Sequence, residues 1–494
     1  MLASQRAMAA AVALLGPLLL LGVPASADEG TGPSLSLAEL LARVQGENAA
    51  VTIAQNELRG YEAVYLRAAT AWLPVIKAES LLAPLPERRL LRQCAYSGGP
   101  FALDGISQVA PCPGEDPSDD EHLTADTDIG VLTRTKVSVT LPLYTFGKLD
   151  AAKLAAEQGV EVGRASVDLS RMHLTHLVKQ AYYGALLAAD ALEILEDGRR
   201  RLEKAKKQIE GELVRETGRF TSNDLRKLEV QAGELEAGYL ETNALSRVAR
   251  EGLRLAAGLA PGSPFTLDVD ELSGVDAPER DESAWLKDAT ETRADLRMAA
   301  AAVQARHHQV ELATAEYYPD IALVGAFGYA KGTTAENSPD PYAKDEYNFS
   351  SWGVVLGAEW KLDFAARRGK LQEAEAAQGK ATAQREGLLQ KVRLDVFEAA
   401  GHLERYRAET AARKKAMKAG KGWLVSNTMN FGAGLAETDE LLESLIAYSK
   451  ARLAYIRALY EFNLAAARLS LAVGREIVVP SAATPAGAPT SPSE

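Results

Sequence analysis

Beyond its first 27 residues the chain has no uninterrupted apolar run of 18 or more, so it offers no helix able to cross a bilayer. Any membrane-embedded part must therefore be built from strands. Aromatic residues are few, at 6%, in keeping with Ala-rich helix packing. There is no Gly-rich phosphate loop with its lysine, no nucleophile elbow and no clustered His/Asp/Ser set, so catalysis has no support and any energy must come from a partner. No resident metal or cofactor is expected. Among His307, His308 and Glu311 the pair His307 and Glu311 is one turn apart, and His173 and His176 share a helix face, but neither pair has a further ligand brought to it by the sequence, and both sets read as solvated helix surface. The formal charge of −12 argues against nucleic acid as a partner. Cysteine is almost absent. Cys94 and Cys112 are the only two, and in an exported chain an even pair within one loop predicts a disulfide.

Export itself is read from residues 1–27. Arg6 starts a positive segment, Met8 to Val23 is apolar, and Ala25-Ser26-Ala27 is a small-x-small cleavage site.

What the chain has in abundance is periodicity. Val137, Val139, Leu141 and Leu143 alternate with Ser138, Thr140 and Pro142, an amphipathic strand. After Thr145-Phe146-Gly147 the period changes. Val160, Val167, Leu174, Ala181, Ala188, Leu195, Leu202 and Ile209 recur every seven residues with no proline, which predicts a supercoiled helix of about 100 Å. The same switch recurs. Trp352, Val354, Leu356, Ala358 and Trp360 alternate with Ser351, Gly353, Gly357 and Glu359, broken only at Val355, and a second long helix follows Arg367-Arg368-Gly369, reaching about Met429.

Two such crossings indicate a duplication. Pro74 matches Pro319 at an offset of 245 residues, Leu143 matches Leu362 at 219, and Gly218 matches Gly434 at 216. The reading divides the chain into a signal peptide (1–27), a first repeat (28–262), a connecting segment (263–283), a second repeat (284–475) and a disordered tail (476–494). Each repeat is predicted to hold a helix over 35–72 or 285–318, two strands, the long helix and a returning helix. Trp352 and Trp360 share one strand face, roughly 26 Å apart, the spacing of two aromatic girdles around an apolar band.

Trp72-Leu73-Pro74, Tyr318-Pro319, Leu141-Pro142-Leu143-Tyr144, Leu362-Asp363-Phe364, Gly218 before Asp224-Leu225, and Gly434 before Glu440-Leu441 recur in order in the two halves. In these motifs the chain resembles the TolC-like outer-membrane efflux channel family. The resemblance implies a mainly α protein with a small β part: internally duplicated helical hairpins forming a periplasmic α-barrel, and four transmembrane strands per subunit completing a 12-stranded β-barrel in a homotrimer. It implies a passive exit duct in the Gram-negative outer membrane, served by a periplasmic adaptor and an inner-membrane transporter, for efflux or for type I protein secretion. A periplasmic adaptor with helical hairpins is the competing class, and an enzyme on an exported helical scaffold a remote one.

By position, Glu440 and Glu443 match the family's acidic entrance rings and Asp224 its latch aspartate. Phe431 and Ala436 stand where the latch tyrosine and arginine would be. The closed mouth must then be held differently, either by packing of Phe431 and Leu435 or more loosely. The run Arg199-Arg200-Arg201, Lys204, Lys206 and Lys207 reads as an exposed helix face, or more sharply as a contact for an acidic adaptor surface.

Overall fold

A computed structural model describes residues 34–86, 93–95, 109–111, 129–215, 219–260, 262–269, 271–335 and 347–478. The first half contains β1 (Ser34–Leu35), α1 (Leu37–Glu47), α2 (Ala49–Ala69), β2 (Val75–Pro86), β3 (Gln93–Ala95), β4 (Val109–Pro111), β5 (Ile129–Tyr144), α3 (Lys148–Val214), α4 (Ser222–Ala256) and β6 (Thr266–Leu267). The second contains α5 (Glu282–Thr292), α6 (Ala294–Ala315), β7 (Asp320–Gly332), β8 (Phe349–Glu359), α7 (Phe364–Ala433) and α8 (Thr438–Val473). The signal segment, Cys112 and the turn residue Gly218 lie outside the described residues, and with Cys112 so does the expected Cys94–Cys112 bridge.

The predicted helices 35–72 and 285–318 are each two helices. Asn48 breaks the first, its Oδ1 accepting from the Ala50 N–H at 2.9 Å to cap α2. Arg293 breaks the second with an extended φ of −62° and ψ of 126°. The two breaks are 245 residues apart, the repeat offset found in the sequence. Arg293 is tied into its surroundings: its guanidinium donates to Asp295 at 2.6 and 2.9 Å and to the Ala472 carbonyl at 2.9 Å. Gly474 (φ +81°) lies against its backbone, where a Cβ would come within 2.8 Å of the Arg293 Cα.

Strands β2, β5, β7 and β8 form one antiparallel sheet in that order. Both β2 and β5 run farther than their alternation alone predicted. The region beyond Leu82 is proline-rich and reads as loop, yet Pro84 and Pro86 pair opposite Val131 and Ile129. The edge position of β2 tolerates them, since one side of that strand needs no ladder donor.

The helices form two further rows beyond the sheet. Nearest the sheet the order is α2, α3, α6, α7; farther away it is α4, α3, α8, α7. The two long helices, 67 and 70 residues, run through both rows. Between the rows β1 and β6 pair in parallel, and Asp190 accepts from the Leu272 N–H at 3.1 Å. Three apolar clusters take the place of one core. One surrounds Leu40, Val178 and Leu253 near β1 and β6; one surrounds Trp285, Val396 and Leu469; the third, around Ile209, Leu228 and Leu424, lies at the hairpin tips. Order continues past residue 475: buried Lys179 pairs with Glu476 at 2.5 Å, and Val478 packs in the second cluster.

Candidate functional site

The sheet has two unlike faces. Register aligns Ile76 with Val139, Val139 with Gly325 and Gly325 with Val354. Period 2 then gathers Val137, Leu141, Leu323, Phe327, Trp352 and Leu356 on one face. The other carries Lys77, Glu79, Arg134, Lys136 and Ser138 on β2 and β5, and Ala322, Val324, Ala326, Gly353, Val355 and Gly357 on β7 and β8. An apolar face of this extent, with Trp352, Val354 and Leu356 strongly exposed, suits hydrocarbon and not water.

Trp352 sits within β8 opposite Phe327. Trp360 does not sit in the strand: β8 ends at Glu359, and the Trp360 indole N–H donates to the Tyr317 carbonyl at 3.0 Å. Exposed Trp72, Tyr144, Tyr318 and Phe364 occupy the same strand-to-helix junction. Sequence reading missed this aromatic group because its members come from four separate segments. Its members appear there only as separate motif residues, in Trp72-Leu73-Pro74, Leu143-Tyr144, Tyr318-Pro319 and Asp363-Phe364. The junction is built tightly. Phe146 (φ 52°) and Gly147 (φ 87°) turn β5 into α3. The Phe146 ring stacks on Tyr318 at 5.3 Å, and Lys148 reaches Asp320 at 2.7 Å. In the second half Arg367 folds back to Asp363 at 2.6 Å, and Lys370 meets Glu316 at 3.1 Å.

At the opposite end the two hairpin tips meet. Phe431 is 2% exposed, its ring 5.3 Å from that of Phe220. Arg219 lies over both rings, at 4.7 and 5.9 Å, and donates from Nη2 to the Phe431 carbonyl. Gly434 (φ +83°) leaves room for it, since a Cβ there would lie 3.1 Å from the guanidinium carbon. Lys227 of α4 pairs with Asp439 of α8 at 2.7 Å. Leu435, offered as a packing partner of Phe431, is instead 79% exposed. It follows the left-handed turn at Gly434, which directs the chain outward, and the buried neighbour is Ala436. Arg219 could not be found from sequence, since its partner lies 212 residues away.

Asp224 faces its own helix start. Its carboxylate accepts from the Thr221 N–H (2.9 Å) and hydroxyl (2.7 Å), closing a capping box at α4. Partial burial pushes this carboxyl up, but the Thr221 hydrogen bonds, with smaller contributions from Thr438 of α8 and the Lys227 charge, outweigh it and hold the group below its ordinary value. A folded-state value below the unfolded one means that Asp224 stabilises the tip above about pH 4 and loses that effect as acid protonates it. Asp224→Asn is expected to cost about 0.5–1 kcal/mol at neutral pH, read as faster amide exchange in the first turn of α4. Conductance is expected to stay near wild type, since neither Phe431 nor Ala436 supplies a side-chain partner. Glu440 and Glu443, one turn apart on α8, are both exposed.

Elsewhere, His308 meets Glu311 at 2.7 Å on the surface of α6, and the basic run of α3 is compensated by Glu236, Asp197 and Glu229.

The model of a family described as outer membrane efflux protein matches residues 285–475. The second repeat is an outer membrane efflux protein domain. No curated protein matches the chain. Among solved structures, the outer membrane channel CmeC of Campylobacter jejuni superposes with a TM-score of 0.70 at 11% identity, over 94% of this chain and 95% of that one. The outer membrane protein VceC of Vibrio cholerae gives 0.68 at 16%, over 89% and 96%. The MtrE outer membrane channel of Neisseria gonorrhoeae, solved in its open state, gives 0.66 at 18%, over 90% and 89%. The resemblance to the TolC-like channels thus holds for the family over the second repeat and for the fold over most of the chain. The solved channels of this fold are outer membrane proteins, and the location expected from the sequence agrees with them.

Proposed function

We propose that three copies of this chain form a passive exit duct for a tripartite efflux pump, with substrates delivered by an inner-membrane transporter through a periplasmic adaptor. The carrying observation is the sheet. Four strands present an apolar face to lipid yet end in two open edges, β2 and β8. Unpaired backbone groups at those edges are costly in hydrocarbon, and closure against further copies removes the cost. Three copies give twelve strands around a lumen that inherits Lys77, Glu79 and Lys136. Trp352 at one level and Trp72, Tyr144, Tyr318 and Trp360 at the other serve as aromatic girdles. Membrane fractionation tests this: heat-modifiable trimers in the outer membrane are expected, and a soluble periplasmic monomer, as an adaptor would give, refutes it. A type I secretion channel would share this architecture.

The hairpin tips form the periplasmic mouth. Glu440 and Glu443 from three subunits place six carboxylates there, a ring that attracts cations and holds divalent ions in passage. In single-channel recordings, Glu440→Ala with Glu443→Ala is expected to lower cation selectivity and relieve divalent block. Selectivity equal to wild type would overturn the assignment.

A further inference from the structure

The row α4, α3, α8, α7 has two outer members, and their charges are opposite. On α4, residues 228–246 include Glu229, Glu234, Glu236 and Glu241 and no base; on α7 and its turn, residues 410–436 include Arg413, Lys414, Lys415, Lys418 and Lys421 and no acid. Glu229 and Glu236 turn inward to Lys206 and Arg199 of α3. Glu234 and Glu241 have no ion-pair partner among the described residues, nor have Lys414, Lys418 and Lys421. All five are exposed.

The unpaired charges lie away from the packed faces. Helix α4 meets α3 through Leu228, Leu235 and Leu253. Glu234 and Glu241, seven residues apart, project about 100° or more from that line and share a face with exposed Val230, Leu245 and Val248. Helix α7 meets α8 through Leu403, Leu424 and Phe431. Lys418 falls on its far side with exposed Val425 and Met429, and Lys414 and Lys421 lie between that side and the packed line.

Their heights agree as well. The tips are level, as the Arg219–Phe431 and Lys227–Asp439 contacts require. Lys421 lies 13 residues before Gly434, and Glu234 lies 13 after Thr221; Lys414 and Glu241 lie 20 before and 20 after the same points. At about 1.5 Å per residue these are levels roughly 20 and 30 Å above the tips. Rotation about an axis along the helices leaves height unchanged, so the same levels meet between neighbouring copies.

We propose that the far face of α7 docks on α4 of a second copy of this chain, with Lys421 opposite Glu234 and Lys414 opposite Glu241. This rests on the trimeric reading above and adds its register. The contact joins two different faces, as a closed ring of identical subunits requires, and it continues the junction of the β8 and β2 edges. Small and apolar side chains make the contact area while the carboxylates and lysines fix the register.

The test is oxidative cross-linking of full-length protein in outer membranes, read on non-reducing gels. Glu234→Cys with Lys421→Cys, and Glu241→Cys with Lys414→Cys, are expected to give cross-linked dimers and trimers. Glu234→Cys with Lys414→Cys, displaced by about 10 Å, is expected to give none. As a second readout, Glu234→Lys with Glu241→Lys should lower heat-resistant trimer about fivefold, and adding Lys414→Glu with Lys421→Glu should restore it. Trimers that form without cross-links in the matched pairs, or a charge reversal without rescue, would overturn the seam while leaving the duct intact. Such a result would leave the lysines facing an acidic surface of another protein. Monomers in the wild type would overturn both.

Discussion

Leu356→Arg is expected to abolish most assembled trimer, weakening the insertion of each subunit about 30- to 700-fold. Leu356 lies opposite Leu323 near the middle of β8 and is 67% exposed in the single chain. If its face meets hydrocarbon, a guanidinium there costs about 2–4 kcal/mol per subunit, and each 1.4 kcal/mol is a factor of about ten. The neighbouring Val355→Arg is the control. Val355 stands opposite Val324 at nearly the same depth but on the other face, where water fills the lumen, so trimer yield should hold and conductance should change. Glu359→Ala, on that same face near the strand end, should also leave assembly intact. Heat-modifiable migration of outer-membrane extracts measures all three. Equal losses from Leu356→Arg and Val355→Arg would show that the faces are misassigned.

Arg219→Ala is expected to open the periplasmic mouth. Beside the Lys227–Asp439 pair and the Phe220–Phe431 packing, the side chain joins the two tips of one subunit through a charge-assisted hydrogen bond to the Phe431 carbonyl and its place over both rings. Such contacts contribute about 1–2 kcal/mol where water has access, an increase in open population of about 5- to 30-fold. Single-channel recordings should show higher mean conductance. Arg219→Lys keeps the charge but loses the planar fork, and should fall between wild type and alanine. Leu435→Ala should not weaken the contact between the tips of one subunit, since Leu435 is 79% exposed in the single chain. An Arg219→Ala channel with wild-type conductance would mean that the tips are held elsewhere.

Much of this architecture was legible in the residues because it is periodic. Alternation at Trp352–Ala358 and the sevenfold recurrence from Val160 to Ile209 each bury or expose a whole face, so the pattern survives local irregularity. The constant offset of 245 carried even to the breaks at Asn48 and Arg293, although neither break was read. An arginine inside an Ala-rich helix gives no local stop signal; Arg293 interrupts because Asp295, Ala472 and Gly474 surround it. Proline misled in the other direction, since Pro84 and Pro86 signal a loop unless the strand is known to be an edge. The mouth was least legible. Position in the motif located Glu440, Glu443, Asp224 and Phe431, but Arg219 and the Lys227–Asp439 pair depend on two segments more than 200 residues apart meeting in space.

The two unbroken helices give the molecule the mechanics of a clamped rod. Around Asp190, α3 exchanges α2 and α6 for α4 and α8 as neighbours, and the strand pair β1–β6 grips it there. Below that clamp about 24 residues remain to Val214, a free length of about 36 Å. A tilt of only about 8° about the clamp carries the tip roughly 5 Å sideways. In the proposed trimer a wider aperture would therefore need no helix to bend and no backbone hydrogen bond to break, leverage converting a small angular slip at the waist into a large change in bore.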